Sequence, residues 1–228
     1  MGAGRNDVTA SDAAPELDLE TWPRRQTFDH FRGYARPHFS LCTRLDVAPL
    51  KRWLAETGRS GLMVACHWQV LRLAQQIEAF RLRFDGPDRV LVHRIVHAST
   101  TVLRNDGSIG FARLPWTPDF DAFVAQTRSA IEAARQPQRF EPDDDDTAQL
   151  HFTTLPWVHF TSFTHARPGR ADDAIPKFAF GRVDAEGERQ WMPFSVDVHH
   201  ALVDGLHVGQ LVEGLERAFA EPAAAFSG

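Results

Sequence analysis

Three histidines and two aspartates lie close together near the carboxyl end of the chain, in the segment DVHHALVDGLH at 197–207. His199 and His200 are adjacent, and Asp204 and His207 follow shortly after. Side chains of these types could bind a metal ion, supply a catalytic base with its supporting groups, or cap a helix. The segment is therefore the first candidate site.

A metal site here would use His200, Asp204 and His207. A His and an Asp four residues apart can share one face of a helix, but the next predicted helix begins at Gly205, immediately after the aspartate, which spoils that geometry. No further cluster of His, Cys or Glu lies beside the segment, so the sequence predicts no metal site. A second interpretation makes Asp204 the N-cap of the helix, which leaves the two adjacent histidines unexplained.

A third interpretation makes His200 a general base. The preceding segment MPFSVDV (192–198) alternates between apolar and polar residues, which predicts a strand with one apolar face. If this alternation continues, His200 lies on the apolar face and His199 on the polar face. Desolvation disfavours the charged imidazole, so we expect His200 to be neutral, as a general base requires.

Hydrophobic periodicity predicts the elements that must position this segment. Helices are predicted over residues 22–31, 46–58 (with Asp46 as N-cap), 61–80, 119–134 and 205–219. Strands are predicted over residues 38–47, 81–84, 89–96, 98–104, 108–114, 148–154, 158–163, 175–183 and 189–198. The two types alternate irregularly and no glycine-rich phosphate loop is visible. This favours an α+β fold with a mixed sheet.

The amino-acid composition excludes several classes of protein. The 228 residues are 43% hydrophobic, enough for one sizeable core, and the net charge of −5 argues against nucleic-acid binding. No apolar run is long enough for a membrane span or a signal peptide, and Cys42 and Cys66 are too few for a disulfide framework, so we expect a cytoplasmic protein. We predict a disordered leader (1–16), a single domain (17–220) and a flexible tail (221–228), with the acidic run EPDDDD at 141–146 as a solvated loop.

The segment HHALVDG fits the pattern His-His-x-x-x-Asp-Gly and resembles the acyl-CoA-dependent acyltransferases typified by chloramphenicol acetyltransferase. Dihydrolipoyl acyltransferases and peptide-synthetase condensation domains share versions of this pattern. The segments LPWVHFTSF (155–163) and WPRRQTFDHF (22–31) narrow the resemblance to the chloramphenicol acetyltransferase family. The similarity covers roughly residues 17–219 in the same order and spacing.

The resemblance implies a two-layer sandwich of a mixed sheet flanked by helices. It also implies a homotrimer whose active sites lie between subunits. The implied activity is acetyl transfer from acetyl-CoA to a hydroxyl of chloramphenicol, which inactivates the antibiotic, in a ternary complex with no metal, nucleic-acid or membrane partner. Two alternatives stay open: an acyltransferase of this fold with another hydroxylated acceptor, and a non-catalytic homologue that only binds ligand or partner.

The resemblance also implies roles for individual residues. His200 is the general base, and Asp204 pairs with Arg24 to support the turn that aims it. Thr153 stands where the family has a serine that stabilises the oxyanion, and threonine also carries an O–H donor. The residues implied to bind the acceptor are Phe31, Pro37, Phe39, Phe111, Trp157 and Phe163.

Overall fold

The computed structural model describes residues 14–136, 146–170 and 172–227. Its helices are α1 (Arg25–Arg32), α2 (Ala48–Thr57), α3 (Leu62–Gln76), α4 (Phe120–Arg135), α5 (Gly205–Ala220) and α6 (Pro222–Ala225), with a 3₁₀ turn at Glu78–Arg81. Its strands are β1 (His38–Asp46), β2 (Leu82–Phe84), β3 (Val90–Val92), β4 (His97–Leu103), β5 (Ile109–Leu114), β6 (Gln149–Leu155), β7 (Lys177–Gly181), β8 (Asp184–Glu186) and β9 (Arg189–His199). No helix within these ranges is both long and apolar enough to cross a membrane.

Most strands form one sheet in the order β1-β9-β7-β6-β4-β5, with β8 paired to β9. Strands β4, β6 and β7 run parallel to one another, whereas the remaining pairs of this sheet are antiparallel. The short β2–β3 hairpin is separate. The predicted α+β fold with a mixed sheet is therefore confirmed.

The two faces of the sheet have different neighbours. The Phe152 ring on β6 contacts the His67 ring of α3 at 4.7 Å, so this residue faces the helices. Phe178 and Phe194 continue an aromatic layer across β7 and β9, with ring centroids 5.2 and 5.9 Å apart along the row. Because side chains alternate along a strand, the neighbouring residues of β6 point to the opposite face.

Helices α3 and α5 pack closely under the aromatic layer. The predicted apolar stripe of α5 is buried at Val208, Leu211 and Leu215. Gly214 permits the close approach, since a Cβ built there would lie 2.7 Å from a methyl group of Leu73. The position of α5 is thus set by packing on α3, and α5 in turn carries the end of the candidate segment.

Several predicted boundaries are wrong. Residues 158–163 form an irregular segment after a turn and not a strand, and the predicted strand 89–96 is reduced to β3. The helix predicted to end at Phe80 ends at Gln76 and continues as the 3₁₀ turn. Strand β8 was not predicted, because three residues around a turn carry too little periodicity.

The predicted leader and tail also need correction. Residues 14–16 belong to the fold, because the Pro15 carbonyl accepts a hydrogen bond from Val92 and Glu16 bridges to Leu91. The tail contains α6 and the fully buried Phe226, which packs on aromatic rings of α2, α3 and α4. The first 13 residues and residues 141–145 of the acidic run lie outside the described residues. The remaining acidic residue, Asp146, pairs with Arg113.

Candidate active site

The two adjacent histidines occupy different environments at the end of β9. His199 is the last strand residue and is 1% exposed, and its Nδ1 accepts a hydrogen bond from the Ala201 amide. His200 lies in the following turn, so strand alternation does not reach it and the predicted parity does not describe its surroundings. Its position is set instead by its amide, which donates to the Pro37 carbonyl at 2.9 Å.

Two aromatic residues hold the His200 ring. Phe31 of α1 stacks on it with centroids 3.9 Å apart and planes 9° apart, and Phe39 of β1 packs at 4.8 Å. His200 is half-buried, and its Nδ1 has no hydrogen-bond partner among the described residues. The imidazole is therefore oriented by ring packing and by the backbone of the turn.

Arg24 fixes the turn that carries His200. Its Nε donates to Asp204 Oδ2 at 2.9 Å, and its Nη1 donates to the Leu202 carbonyl at 2.6 Å. Longer contacts of 3.4 Å reach the carbonyls of Ala201 and His200. One planar guanidinium thus satisfies the carboxylate and several turn carbonyls at once, a geometry that suits arginine and not lysine.

Asp204 also caps α5, as the alternative interpretation predicted. Its Oδ1 accepts from the Leu206 amide at 3.0 Å, and its own amide donates to His207 Nδ1 at 3.1 Å. Burial raises the pKa of Asp204, but His207 and Arg24 outweigh that effect and the pKa lies below its usual value.

The described residues contain no group of three or more His, Cys, Asp or Glu side chains that could hold a metal ion.

A cavity of about 420 Å³ lies on the sheet face opposite the helices. Thr153 on β6, Phe111 on β5 and Phe163 in the loop after β6 line it. The loop is tied to the sheet because the Phe163 carbonyl accepts from Ser195 Oγ and the His165 amide donates to Asp197. The cavity therefore combines the hydroxyl donor of Thr153 with aromatic walls. This combination is typical of a binding site for a flat organic molecule.

Three nitrogen-bearing side chains line the same cavity: His151, His165 and Lys177. Burial lowers the pKa of His151 to about 4, and the neighbouring Lys177 cation acts in the same direction. Burial likewise lowers the pKa of His165 to about 4, although Asp197 opposes this. Both imidazoles are neutral at pH 7 and can each donate and accept one hydrogen bond.

The site residues predicted from the sequence fall into two groups that do not meet within one chain. His200, Arg24, Asp204, Phe31, Phe39 and the buried Pro37 form one group, whereas Thr153, Phe111 and Phe163 line the cavity. Thr153 is in register, through Ala179 on β7, with Ser195 on β9. His199, the last residue of β9 and the neighbour of His200, lies four residues beyond Ser195, so Thr153 and His199 are roughly 16 Å apart across the sheet.

Trp157 joins neither group. It lies in the turn after β6 and is 60% exposed, next to Val158, which is 50% exposed. Sequence reasoning also missed His151, His165 and Lys177, for which no motif gives a signal. Strand alternation through Phe152 could have placed His151 on the same face as Thr153.

The family model "CAT: Chloramphenicol acetyltransferase" matches residues 14–216. A chloramphenicol acetyltransferase from Streptomyces acrimycini is 30% identical over 95% of this chain and 99% of its own length. Chloramphenicol acetyltransferase 2 from Escherichia coli is 29% identical over 88% of this chain and 94% of its own length.

A solved structure named chloramphenicol acetyltransferase has the same fold. It superposes with a TM-score of 0.83 at 23% identity, over 91% of this chain and all of that chain. The agreement covers the mixed sheet and its helices, the framework on which both groups of site residues lie.

Proposed function

The chain belongs to the chloramphenicol acetyltransferase family, and on this premise we propose that it transfers the acetyl group of acetyl-CoA to a hydroxyl of chloramphenicol. The single observation that best supports this is the His200 ring, stacked on Phe31 in a turn braced by Arg24 and Asp204. A general base must be held in a fixed orientation toward the hydroxyl from which it takes the proton, and this packing holds the imidazole of His200 in that way.

His200 acts first as base and then as acid. Its imidazole takes the proton of the acceptor hydroxyl while that oxygen attacks the thioester carbonyl carbon of acetyl-CoA. The tetrahedral intermediate collapses as the carbon–sulfur bond breaks, and His200 returns the proton to the leaving thiolate. Both substrates are present together, so no covalent acyl-enzyme forms.

Thr153 supplies the second catalytic group. The developing oxyanion needs a donor placed where the charge appears, and the Thr153 hydroxyl lines the cavity in which the acceptor lies. Phe111 and Phe163 form the walls of that cavity. Phe31, Pro37 and Phe39 extend the acceptor site on the side of His200.

The protein acts as a homotrimer with its active sites between subunits. His200 of one chain does not line the cavity that holds Thr153 of the same chain, and a neighbouring chain can bring the missing half. The exposed Trp157, Val158 and Leu41 support this arrangement, because exposed apolar side chains lose unfavourable contact with water in an interface. Trp157 then borders the acceptor site from this interface.

Thiol release from acetyl-CoA in the presence of chloramphenicol tests the activity. His200→Ala should lower kcat by about two to four orders of magnitude, the usual contribution of general-base catalysis. His199→Ala is the matched control, since His199 is packed between Phe84 and His38 and should lower the melting temperature more than the rate. An active His200→Ala enzyme beside a dead but stable His199→Ala enzyme would reverse the assignment.

Mixed trimers test the shared site. His200→Ala and Thr153→Val chains are each expected to be inactive. Random one-to-one mixing should make about a quarter of the interfacial sites intact, because each site takes its histidine and threonine from different chains. Light scattering that gives an active monomer, or mixed samples that stay inactive, would contradict the trimer.

The same proposal places the enzyme in the bacterial cytoplasm, where acetylation would inactivate the antibiotic. Expression of the wild-type chain should therefore raise the chloramphenicol concentration that bacteria survive, and expression of His200→Ala should not. Equal survival with both chains would show that the acetylation does not protect cells.

A further inference from the structure

Asp197 begins the segment DVHHALVDGLH, and the mechanism described above gives it no role. It lies on β9, three residues before His200, and is 3% exposed. Its carboxylate accepts hydrogen bonds from Ser40 Oγ on β1 and from Arg167 Nε, each at 2.9 Å. Its carbonyl accepts from Arg167 Nη2 at 3.0 Å. A buried carboxylate needs such partners, and this one ties Arg167 to the end of β9.

Arg167 links Asp197 to a second buried carboxylate. Its Nη1 donates to Asp173 Oδ2 at 2.9 Å, and the side chains of Arg167 and Asp173 are 11% and 8% exposed. Lys177 lies 3.8 Å from the same carboxylate. Burial raises the pKa of Asp173, but Arg167 and Lys177 outweigh this effect and hold the pKa below its usual value. The loop between β6 and β7, which carries Arg167 and Asp173, is therefore held against β9 by a charge-balanced group.

His38 connects this loop to β1. Its Nε2 lies 2.6 Å from the Asp173 carbonyl oxygen, which can only accept, so Nε2 carries a proton and donates. Burial lowers the pKa of His38, although the bond to the Asp173 carbonyl opposes this. The ring also packs edge-on against the ring of His199, its partner in the β1–β9 register, with centroids 5.0 Å apart. His38 thus contacts the loop and the end of β9 together.

The same residues determine where the backbone of His200 lies. Pro37 precedes His38 in the chain, and its carbonyl accepts a hydrogen bond from the His200 amide at 2.9 Å. His200 is therefore held from two directions, along β9 from Asp197 and across from β1 through Pro37. The buried ionic group fixes both, because it fastens β9 directly and fastens β1 through the hydrogen bond of His38.

We infer that His38 and Arg167 are positioning residues for His200. They fix the strand side of its turn, whereas Arg24 fixes the helix side through Asp204. Such placement matters for a general base, since a misplacement of about 1 Å can cost about a hundredfold in rate. The inference rests on the acetyl transfer proposed above and assigns to these two residues no contact with a substrate.

Paired variants of His38 test this inference by thiol release from acetyl-CoA in the presence of chloramphenicol. His38→Phe keeps a ring against His199 and removes the donor, whereas His38→Gln keeps an N–H donor as many bonds from Cβ as the histidine Nε2. His38→Phe should lower kcat about tenfold and leave KM for acetyl-CoA unchanged, and His38→Gln should recover most of the rate. Arg167→Lys keeps the charge but cannot bridge both carboxylates, so it should also lower kcat.

Hydrogen exchange of the His200 amide, followed by mass spectrometry, gives a readout without turnover. This amide is bonded to Pro37, so it should exchange about tenfold faster in His38→Phe and at the wild-type rate in His38→Gln. His97→Phe is the matched control. His97 also begins a strand, and its Nδ1 accepts from the Trp116 amide, but that strand is β4, which pairs with neither β1 nor β9. This variant should melt at a lower temperature with kcat and the exchange of the His200 amide unchanged.

The outcomes separate this inference from the acetyl transfer on which it rests. Unchanged exchange in His38→Phe, or a His38→Gln enzyme as slow as His38→Phe, would overturn the positioning role. An equal loss of kcat in His97→Phe would also overturn it, because general destabilisation would then account for the effect. A wild-type protein that releases no thiol, with faster exchange in His38→Phe, would overturn acetyl transfer and keep the positioning of His200. Absence of both effects would overturn both proposals.

Discussion

Replacement of Arg24 by alanine should unfold the turn that holds His200. Arg24 and Asp204 have side chains that are 16% and 29% exposed. One-sided removal of a buried ion pair costs about 3–5 kcal/mol, and partial exposure of this pair reduces the figure to about 2–3 kcal/mol. The Leu202 carbonyl also loses its hydrogen bond from Nη1.

This cost should appear in both stability and rate. For a chain of this size, about 2–3 kcal/mol lowers the melting temperature by roughly 5–10 °C, which calorimetry can measure. The rate of thiol release below the transition should also fall, since His200 loses its fixed orientation, whereas binding of acetyl-CoA should change little. Arg24→Lys should recover part of the stability but little of the rate, because an ammonium group cannot reach the carboxylate and the carbonyls together.

Arg25→Ala is the matched control. Arg25 is the next residue and pairs with Asp29 one helical turn away, but both side chains are nearly half exposed, and such pairs contribute little. Its melting temperature and rate should equal those of the wild type. The reasoning fails if Arg24→Ala melts with the wild type, or if Arg25→Ala loses as much stability as Arg24→Ala.

Three further predictions concern the frame around the site. Burial lowers the pKa of His67 to about 4. Between pH 6.5 and 4 the unfolded chain therefore binds a proton at this residue that the native chain does not, so the contribution of His67 to stability should fall by about 3 kcal/mol over this range on acidification. His67→Phe should make the free energy of unfolding, measured by urea denaturation, depend less steeply on pH than it does in the wild type. Equal slopes for the two proteins would contradict the assignment. Phe226→Ala should cost about 3–5 kcal/mol in chemical denaturation, because the ring is fully buried, and Ala223→Ser on exposed α6 surface should cost almost nothing. Gly214→Ala should destabilise the protein by about 1–3 kcal/mol, because the added methyl group would collide with Leu73. Gly209→Ala is the control: its methyl group would meet no atom within 4 Å, so the substitution should stabilise α5. If Gly209→Ala were the less stable variant, the close packing of α3 and α5 would be refuted.

Local patterns in the sequence predicted the elements with strong periodicity. The alternation of 192–198 predicted β9, and the apolar stripe through Val208, Leu211 and Leu215 predicted α5. Asp204 was expected as its cap because a carboxylate before a helix satisfies free amides within the same segment. These features depend on residues that are near one another in the chain, so the sequence alone was sufficient.

The irregular parts could not be derived in this way. Residues 158–163 are apolar enough for a strand, but they leave the sheet after the turn at Trp157. Phe226 follows a run of alanines that reads as a flexible tail, yet it completes an aromatic cluster built by α2, α3 and α4. In both cases the position of the segment depends on packing against residues that are distant in the sequence.

The His-His-x-x-x-Asp-Gly motif and the family resemblance predicted the residues of the candidate site. The resemblance also paired Arg24 with Asp204, which lie 180 positions apart in the chain. Only the tertiary structure showed that Thr153 and His200 lie in separate places on the sheet, and that His151, His165 and Lys177 share a cavity with Thr153. The physical reason is that strand order and register determine distances across a sheet, and both are set by long-range pairing that no local pattern encodes.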